Sequence, residues 1–340
     1  MTAPDTGDAF RPTIRQAAAK NKKRLGSIIC ALIVIASAAA LAVVKPWANS
    51  IRPDHSVSYL GVYEPDAPAT YAGVDQFADA IGRQPNLVSY YSSWLDLEPF
   101  QVGFATLAAK HGAITVVQID PKNVSLVSIA NGKYDGYLRT YAAAVKAFGA
   151  EVVLSFGHEM NGNWYSWANQ HTSPTAFVAA WRHIVTVFRA AGAGNVIWLW
   201  TVNRIDNSVP IPNPGPWWPG KSYVTWVGID GYYYGPSSTF SQVFGPTIVD
   251  LRELTNDPIL IAETGASPDA GQAAKITDLF EGVQSYGLMG FMWFDANAGR
   301  TSEGVPQDWR IDNPAALTSF REDAGAFMRS SVAPVVQQDP

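Results

Sequence analysis

The sequence predicts a single (β/α)8 TIM barrel preceded by an N-terminal transmembrane helix. Three observations lead there. From residue 56 onward, short apolar β-like runs alternate with amphipathic helical stretches, the order that builds a parallel sheet covered by helices. Eight such runs occur between residues 56 and 331, which suits a closed barrel better than an open sheet. Ahead of them, residues 25–44 carry no charge, and a helix of that length spans a hydrocarbon layer of roughly 30 Å.

The elements follow in order. The first run, 57–63, leads into a helical stretch at 71–81, and the second, 86–92, into one at 102–110. The third, 113–119, is followed by 134–148, and the fourth, 151–157, by 174–191. Signals in that fourth helix are sharp: Ser173 can cap it, Pro174 suits the first helical position, and Gly192 can end it. Phe177, Trp181, Ile184, Val185 and Phe188 form one apolar stripe facing the sheet. After the fifth run, 196–201, residues 205–222 are rich in Pro and Gly and contain Trp217 and Trp218, so an extended loop is expected where a helix would stand. Long loops of this kind are often functional. The sixth run, 226–232, precedes a helix at 240–254, the seventh, 259–263, one at 273–286, and the eighth, 290–294, one at 314–328. The chain therefore divides into a basic cytoplasmic tail (1–24), a signal anchor (25–44), a linker (45–55), the barrel (56–331) and a disordered tail (332–340).

Composition bounds the function. Hydrophobic residues make up 47% of the chain and charged ones 16%, the balance of a large core. Six basic residues against Asp5 and Asp8 in the first 24 positions keep that end in the cytoplasm and place the barrel outside, anchored to the membrane. A cleavable signal peptide is the alternative, because Ala40-Leu41-Ala42 resembles a cleavage site. Cys30, the one cysteine, lies inside the apolar run, so the exported part has no disulfide and depends on its core. Removing the six basic and two acidic residues of the tail from the totals of 24 and 29 leaves 18 and 27, a net charge of −9. Such a surface argues against nucleic acid and anionic polymers and leaves neutral substrates open. A monomer is expected.

In a barrel of this kind the chemistry sits at the C-terminal ends of the strands. Two glutamates stand there in unlike surroundings. Glu159 follows the fourth run in Ser155-Phe-Gly-His-Glu-Met-Asn-Gly-Asn-Trp164, and Glu263 ends the seventh in Ile261-Ala-Glu-Thr-Gly265. Strands four and seven are not neighbours, so the two carboxylates can face each other across the mouth with a sugar ring between them. Paired carboxylates suggest glycoside hydrolysis, retaining at about 5 to 5.5 Å separation and inverting at about 6.5 to 9.5 Å. Twelve Trp and fourteen Tyr add flat apolar faces with polar edges that suit a pyranose. Tyr90, Tyr91, Trp94, Trp217 and Trp218 are either sugar platforms or packing. Asp230 either braces the site or ends a strand. His55, His111, His171 and His183 are scattered without metal-ligand spacing, and neither a metal nor a cofactor is expected.

The motifs resemble glycoside hydrolase family 26, retaining β-mannanases and related β-glucanases. The most specific is His158-Glu-Met-Asn-Gly-Asn-Trp164. It is followed by Ala180-Trp-Arg-His-Ile-Val, Asn195-Val-Ile-Trp-Leu-Trp-Thr-Val-Asn203, Trp226-Val-Gly-Ile-Asp-Gly-Tyr232, Ile261-Ala-Glu-Thr-Gly265 and Trp293. The resemblance implies that Glu159 is the acid/base, that Glu263 is the nucleophile, and that Tyr232 hydrogen-bonds it. His158, Trp164 and Trp293 would line the subsite around the scissile bond. Two departures stand out, Ser155 where many members have Arg and Thr225 where many have Asp. The implied activity is endo-acting hydrolysis of a β-mannan or β-glucan, with the polysaccharide or its oligosaccharides as partner. A non-catalytic carbohydrate-binding protein and a transglycosylase are the alternatives.

Overall fold

The computed structural model describes residues 58–206, 211–300 and 305–329. The expected tail, anchor and linker at 1–55 and the tail at 332–340 lie outside them. Among the described residues no helix is long and apolar enough to cross a membrane.

Eight parallel strands close into a barrel in sequence order: β1 (Tyr59–Tyr63), β2 (Leu87–Ser93), β3 (Ile114–Asp120), β4 (Val152–Phe156), β5 (Val196–Asn203), β6 (Trp226–Asp230), β7 (Ile259–Thr264) and β8 (Gly290–Phe294). Strand β8 closes on β1, from Tyr59 opposite Gly290 to Tyr63 opposite Phe294. Gly290 has φ 151°, and a Cβ there would collide with the Tyr59 carbonyl, so the closing seam requires glycine. The expected runs match these strands to within two residues at each end.

Side chains alternate along a strand, so each run feeds two cores. Leu87, Val116, Val153, Leu199, Leu260 and Met292 form one buried cluster inside the barrel. Their neighbours Val88, Val117, Leu154, Trp200 and Phe291 belong to the larger cluster under the helices. Two residues further along the inward face the interior turns polar: Ser89, Gln118, Ser155 and Thr201 are all buried. Two more bring Tyr91, Asp120 and Asn203, with Asp230 in the same position on β6. The register thus delivers polar groups to the C-terminal mouth.

The helices are α1 (Ala72–Ile81), α2 (Val102–Lys110), α3 (Leu126–Ala130), α4 (Asp135–Phe148), α5 (Pro174–Ala190), α6 (Phe240–Val243), α7 (Gly245–Leu254), α8 (Gln272–Ser285) and α9 (Pro314–Arg329). In α5 the Ser173 hydroxyl accepts the Ala176 N–H at 3.2 Å. The stripe from Phe177 to Phe188 is buried, each side chain adding roughly 1.5 to 3 kcal/mol by burial. Three features depart from the expectation. The helix expected at 240–254 is two, because Pro246 has no N–H to donate and the ladder breaks at Phe244. A short helix, α3, capped by the Ser125 side chain, follows β3. An antiparallel pair, β9 (Asn297–Arg300) and β10 (Pro306–Asp308), stands between β8 and α9. The loop expected at 205–222 has only two 3-10 turns in its described part, Gly215–Trp217 and Lys221–Tyr223.

Candidate active site

Beyond β4 the backbone makes an unusual turn. Gly157 has φ 56° and Glu159 φ 54°, and the Glu159 N–H donates to the Thr201 carbonyl of β5 at 3.0 Å. A left-handed conformation costs a side-chain-bearing residue about 1–2 kcal/mol. The turn sets the Glu159 carboxyl between two donors. Asn203 Nδ2 donates to Oε1 at 2.5 Å, and Trp164 Nε1 donates to Oε2 at 2.7 Å. The Trp164 ring lies over Gly162, where any Cβ would collide with it. Glu159 is 7% exposed. Burial pushes its carboxyl up most strongly; the cationic His158 opposes this, the Glu263 charge adds to it, and the two donors oppose it. The balance is about 7.

Glu263 is held differently. A register shift between β6 and β7 sets it opposite Asp230. The Tyr232 hydroxyl donates to Oε1 and the Tyr91 hydroxyl to Oε2. Burial, followed by the Glu263 charge, pushes both phenols well above their ordinary value, so both remain donors. A cavity of about 10 Å³ against Glu263, lined also by Tyr63, Ser89, Gln118 and Trp293, has room for about one water.

His158 is 2% exposed and faces protein on both ring nitrogens, with Asp120 Oδ1 at 3.0 Å from Nδ1 and the Tyr165 hydroxyl at 3.2 Å from Nε2. Burial pulls its pKa down, but the charge and hydrogen bond of Asp120, with Glu159 and Glu263, raise it to about 9. It is therefore an imidazolium at neutral pH, with Nδ1–H donated to Asp120. Trp293 is 1% exposed and donates Nε1–H to the Trp309 carbonyl at 2.8 Å. Trp309 in turn stacks on Tyr232, with centroids 4.4 Å apart.

All six residues singled out from sequence gather at the barrel mouth, but their surroundings differ. Trp164 is 44% exposed and Tyr232 lies at the edge of burial, whereas the His158 and Trp293 side chains are enclosed. Asp230 is fully buried and neither oxygen has a hydrogen-bond partner among the described residues. Burial, then the Glu263 and Glu159 charges, push its carboxyl well above the usual carboxylate range, and it braces nothing by hydrogen bonding. Tyr90, Trp94 and Trp217 are buried packing. Trp218 packs edge-on against Trp200. Tyr91 is the one ring of that group that reaches a carboxylate. Ser155 pairs with Thr201, their hydroxyl oxygens 3.2 Å apart. Thr225 accepts the Trp198 N–H just before β6, five residues short of Asp230 and so roughly 17 Å from the mouth at about 3.3 Å per residue. Asn203, Asp120, Tyr165 and Trp309 complete the site without having been singled out. The first two share the inward face of their strands, a signal that alternation from Leu199 and Val116 contains. Trp309 follows a hairpin that no periodicity announces.

The sequence profile of Glycosyl hydrolase family 26 matches residues 93–280. Endoglucanase H of Acetivibrio thermocellus is 33% identical over 282 residues, covering 78% of this chain and 30% of the relative. Mannan endo-1,4-beta-mannosidase A and B of Caldalkalibacillus mannanilyticus is 31% identical over 101 residues, covering 28% of this chain and 19% of the relative. The chain thus spans less than a third of either protein. In fold it is similar to a GH26 beta-mannanase from Bacteroides ovatus, with TM-score 0.56, 16% identity, and coverage of 88% of this chain and 95% of that one.

Proposed function

The chain belongs to glycosyl hydrolase family 26, and from that premise we propose that it is an endo-acting, retaining β-glycoside hydrolase. The observation that carries the reading is the contrast between the two carboxyls. Glu159 is buried and poised at about 7, whereas each oxygen of Glu263 accepts a tyrosine hydroxyl. Unequal surroundings are what assign acid and nucleophile to two like groups.

In the first step Glu263 attacks the anomeric carbon while Glu159 protonates the departing oxygen; in the second, Glu159 takes a proton from the water that frees the glycosyl-enzyme. The charge on Glu263 raises the Glu159 carboxyl. Esterification removes that charge, so Glu159 becomes more acidic when it must act as base. His158, cationic beside it, favours the ionised form at the same stage.

The endoglucanase is similar over a longer stretch than the mannanase, so β-glucan is the first substrate to try and β-mannan the second. The test is reducing-sugar release by the full chain from β-1,4-mannan, β-1,4-glucan and mixed-linkage β-1,3/1,4-glucan, with Glu159→Ala and Glu263→Ala as controls. A rapid fall in viscosity reports endo action, and NMR of the first-formed anomer reports retention. Binding of a glycan without release would sink the hydrolase reading and leave a carbohydrate-binding protein. Transfer products on defined oligosaccharides would indicate a transglycosylase. We also propose that residues 25–44 anchor the barrel outside the cell, the linker reaching at most about 40 Å at about 3.3 to 3.6 Å per residue. Full activity in the medium with a cleaved N-terminus would count against the anchor.

A further inference from the structure

We propose that the groove between the loops after β3 and β4 is a second carbohydrate site, which holds a neutral stretch of β-glycan without turning it over. This goes beyond the hydrolase reading, and only the choice of a β-glycan as the ligand rests on it. A cavity of about 450 Å³ lies between residues 123–127 and the segment 166–176, at the starts of α3 and α5. That volume falls within the range of small-ligand pockets, roughly 300–1,000 Å³. The groove belongs to the catalytic end of the barrel. One wall continues the loop that carries Glu159 and Trp164, and His171 Nε2 donates to the Asn163 carbonyl at 2.9 Å, one residue before Trp164.

The lining selects an uncharged, hydroxylated ligand. No Asp, Glu, Lys or Arg lines the groove, so an ion entering it would give up water without gaining a counter-charge. Val124, Leu126, Val127 and Ala176 supply apolar surface, which suits the C–H face of a sugar ring. Polar groups of both kinds stand around it. Ser125, Ser166 and Ser173 each accept a backbone N–H, from Ser128 at 3.3 Å, Asn123 at 2.8 Å and Ala176 at 3.2 Å. Each hydroxyl therefore keeps its own proton to donate. With Nε2–H given to Asn163, the neutral His171 ring leaves Nδ1 as an acceptor. The Asn123 side-chain amide, without a partner among the described residues, offers a donor and an acceptor together. A sugar hydroxyl, which donates and accepts at once, matches such a mixture; a phosphate or an ammonium does not. The walls are tied to each other and to themselves, by Asn123 to Ser166 and by the Thr172 hydroxyl to the Ser166 carbonyl at 3.2 Å, so the groove is pre-formed.

The experiment measures retardation of the full chain in native gels cast with a soluble β-1,4-galactomannan or a mixed-linkage β-1,3/1,4-glucan. Every chain carries Glu263→Ala, so that the polymer stays intact. Two further changes alter the groove and leave the carboxyls alone. Asn123 has φ 58°, so Asn123→Gly removes the amide at a backbone position that glycine favours. Val127 is 56% exposed, so Val127→Arg lays a charged chain in the groove without unpacking the core. Thermal unfolding midpoints close to that of the parent check the fold of both. Asn123→Gly is expected to raise the Kd for the retarding polymer about fivefold, the worth of one hydrogen bond, and Val127→Arg at least as much. A Kd within about twofold of the parent in either variant, or no retardation of the parent by either polymer, would overturn the site. The hydrolase reading is decided separately, by reducing-sugar release: if the wild-type chain releases none and both variants still lose binding, that reading falls and the groove stands.

Discussion

Trp164→Phe separates two jobs of one side chain, because phenylalanine keeps an aromatic face and loses the N–H that Glu159 Oε2 accepts at 2.7 Å. That bond favours the ionised carboxyl and holds its pKa down. A hydrogen bond to a charged group contributes about 1.5–3 kcal/mol. Trp164 is 44% exposed, so water replaces part of the loss and the lower end applies. About 1.4 kcal/mol is one pKa unit, which moves Glu159 from about 7 to about 8. The acid must carry its proton in the first step, so kcat/KM falls as pH rises through that value. The alkaline limb should therefore move up by about one unit in the variant. The assay is the pH profile of kcat/KM on a soluble oligosaccharide, with enzyme stability checked at each pH. A limb that stays in place, or moves down, would refute the assignment of Trp164 as a donor to the acid.

Tyr91→Phe should lower kcat/KM about 10- to 100-fold by removing a donor to the nucleophile, read by steady-state kinetics, and Tyr232→Phe should act in the same direction. Asp120→Asn removes the group that keeps His158 protonated, so its pKa should fall from about 9 as burial takes over, read by imidazole NMR titration. A value that stays at about 9 would show that Asp120 is not the cause. Phe188→Ala, in a fully packed site against Tyr141 and Trp198, should cost about 3–5 kcal/mol in denaturant unfolding.

The barrel was legible because periodicity carries it: eight apolar runs, one helix stripe from Phe177 to Phe188 and one Pro/Gly-rich gap. The two glutamates were legible because strand ends in a barrel are where chemistry collects. Tyr91 was half legible. It lies within the second apolar run, but whether its ring packs or bonds depends on which face it occupies relative to Glu263, and that is settled by barrel closure. Gly61 stands opposite Leu87, and Leu87 opposite Ile114, a register that no single run specifies. The split at Phe244 could have been read from Pro246. Trp309 could not, since its role depends on a hairpin that lets its carbonyl take the Trp293 N–H.

The turn at Glu159 bears on how this chain responds to selection. Two features of that residue oppose folding: a backbone conformation that favours glycine, and a carboxyl whose pKa rises from 4.5 to about 7 on burial. Its folded form binds the proton more tightly than the unfolded one, so its contribution to stability weakens as pH climbs from 4.5 to about 7. Glu159→Gly relieves both features and abolishes the proposed chemistry. A library screened only for thermal resistance should therefore enrich inert chains at this position, and heat-stable variants of the site need sorting by turnover before they are believed to be improvements.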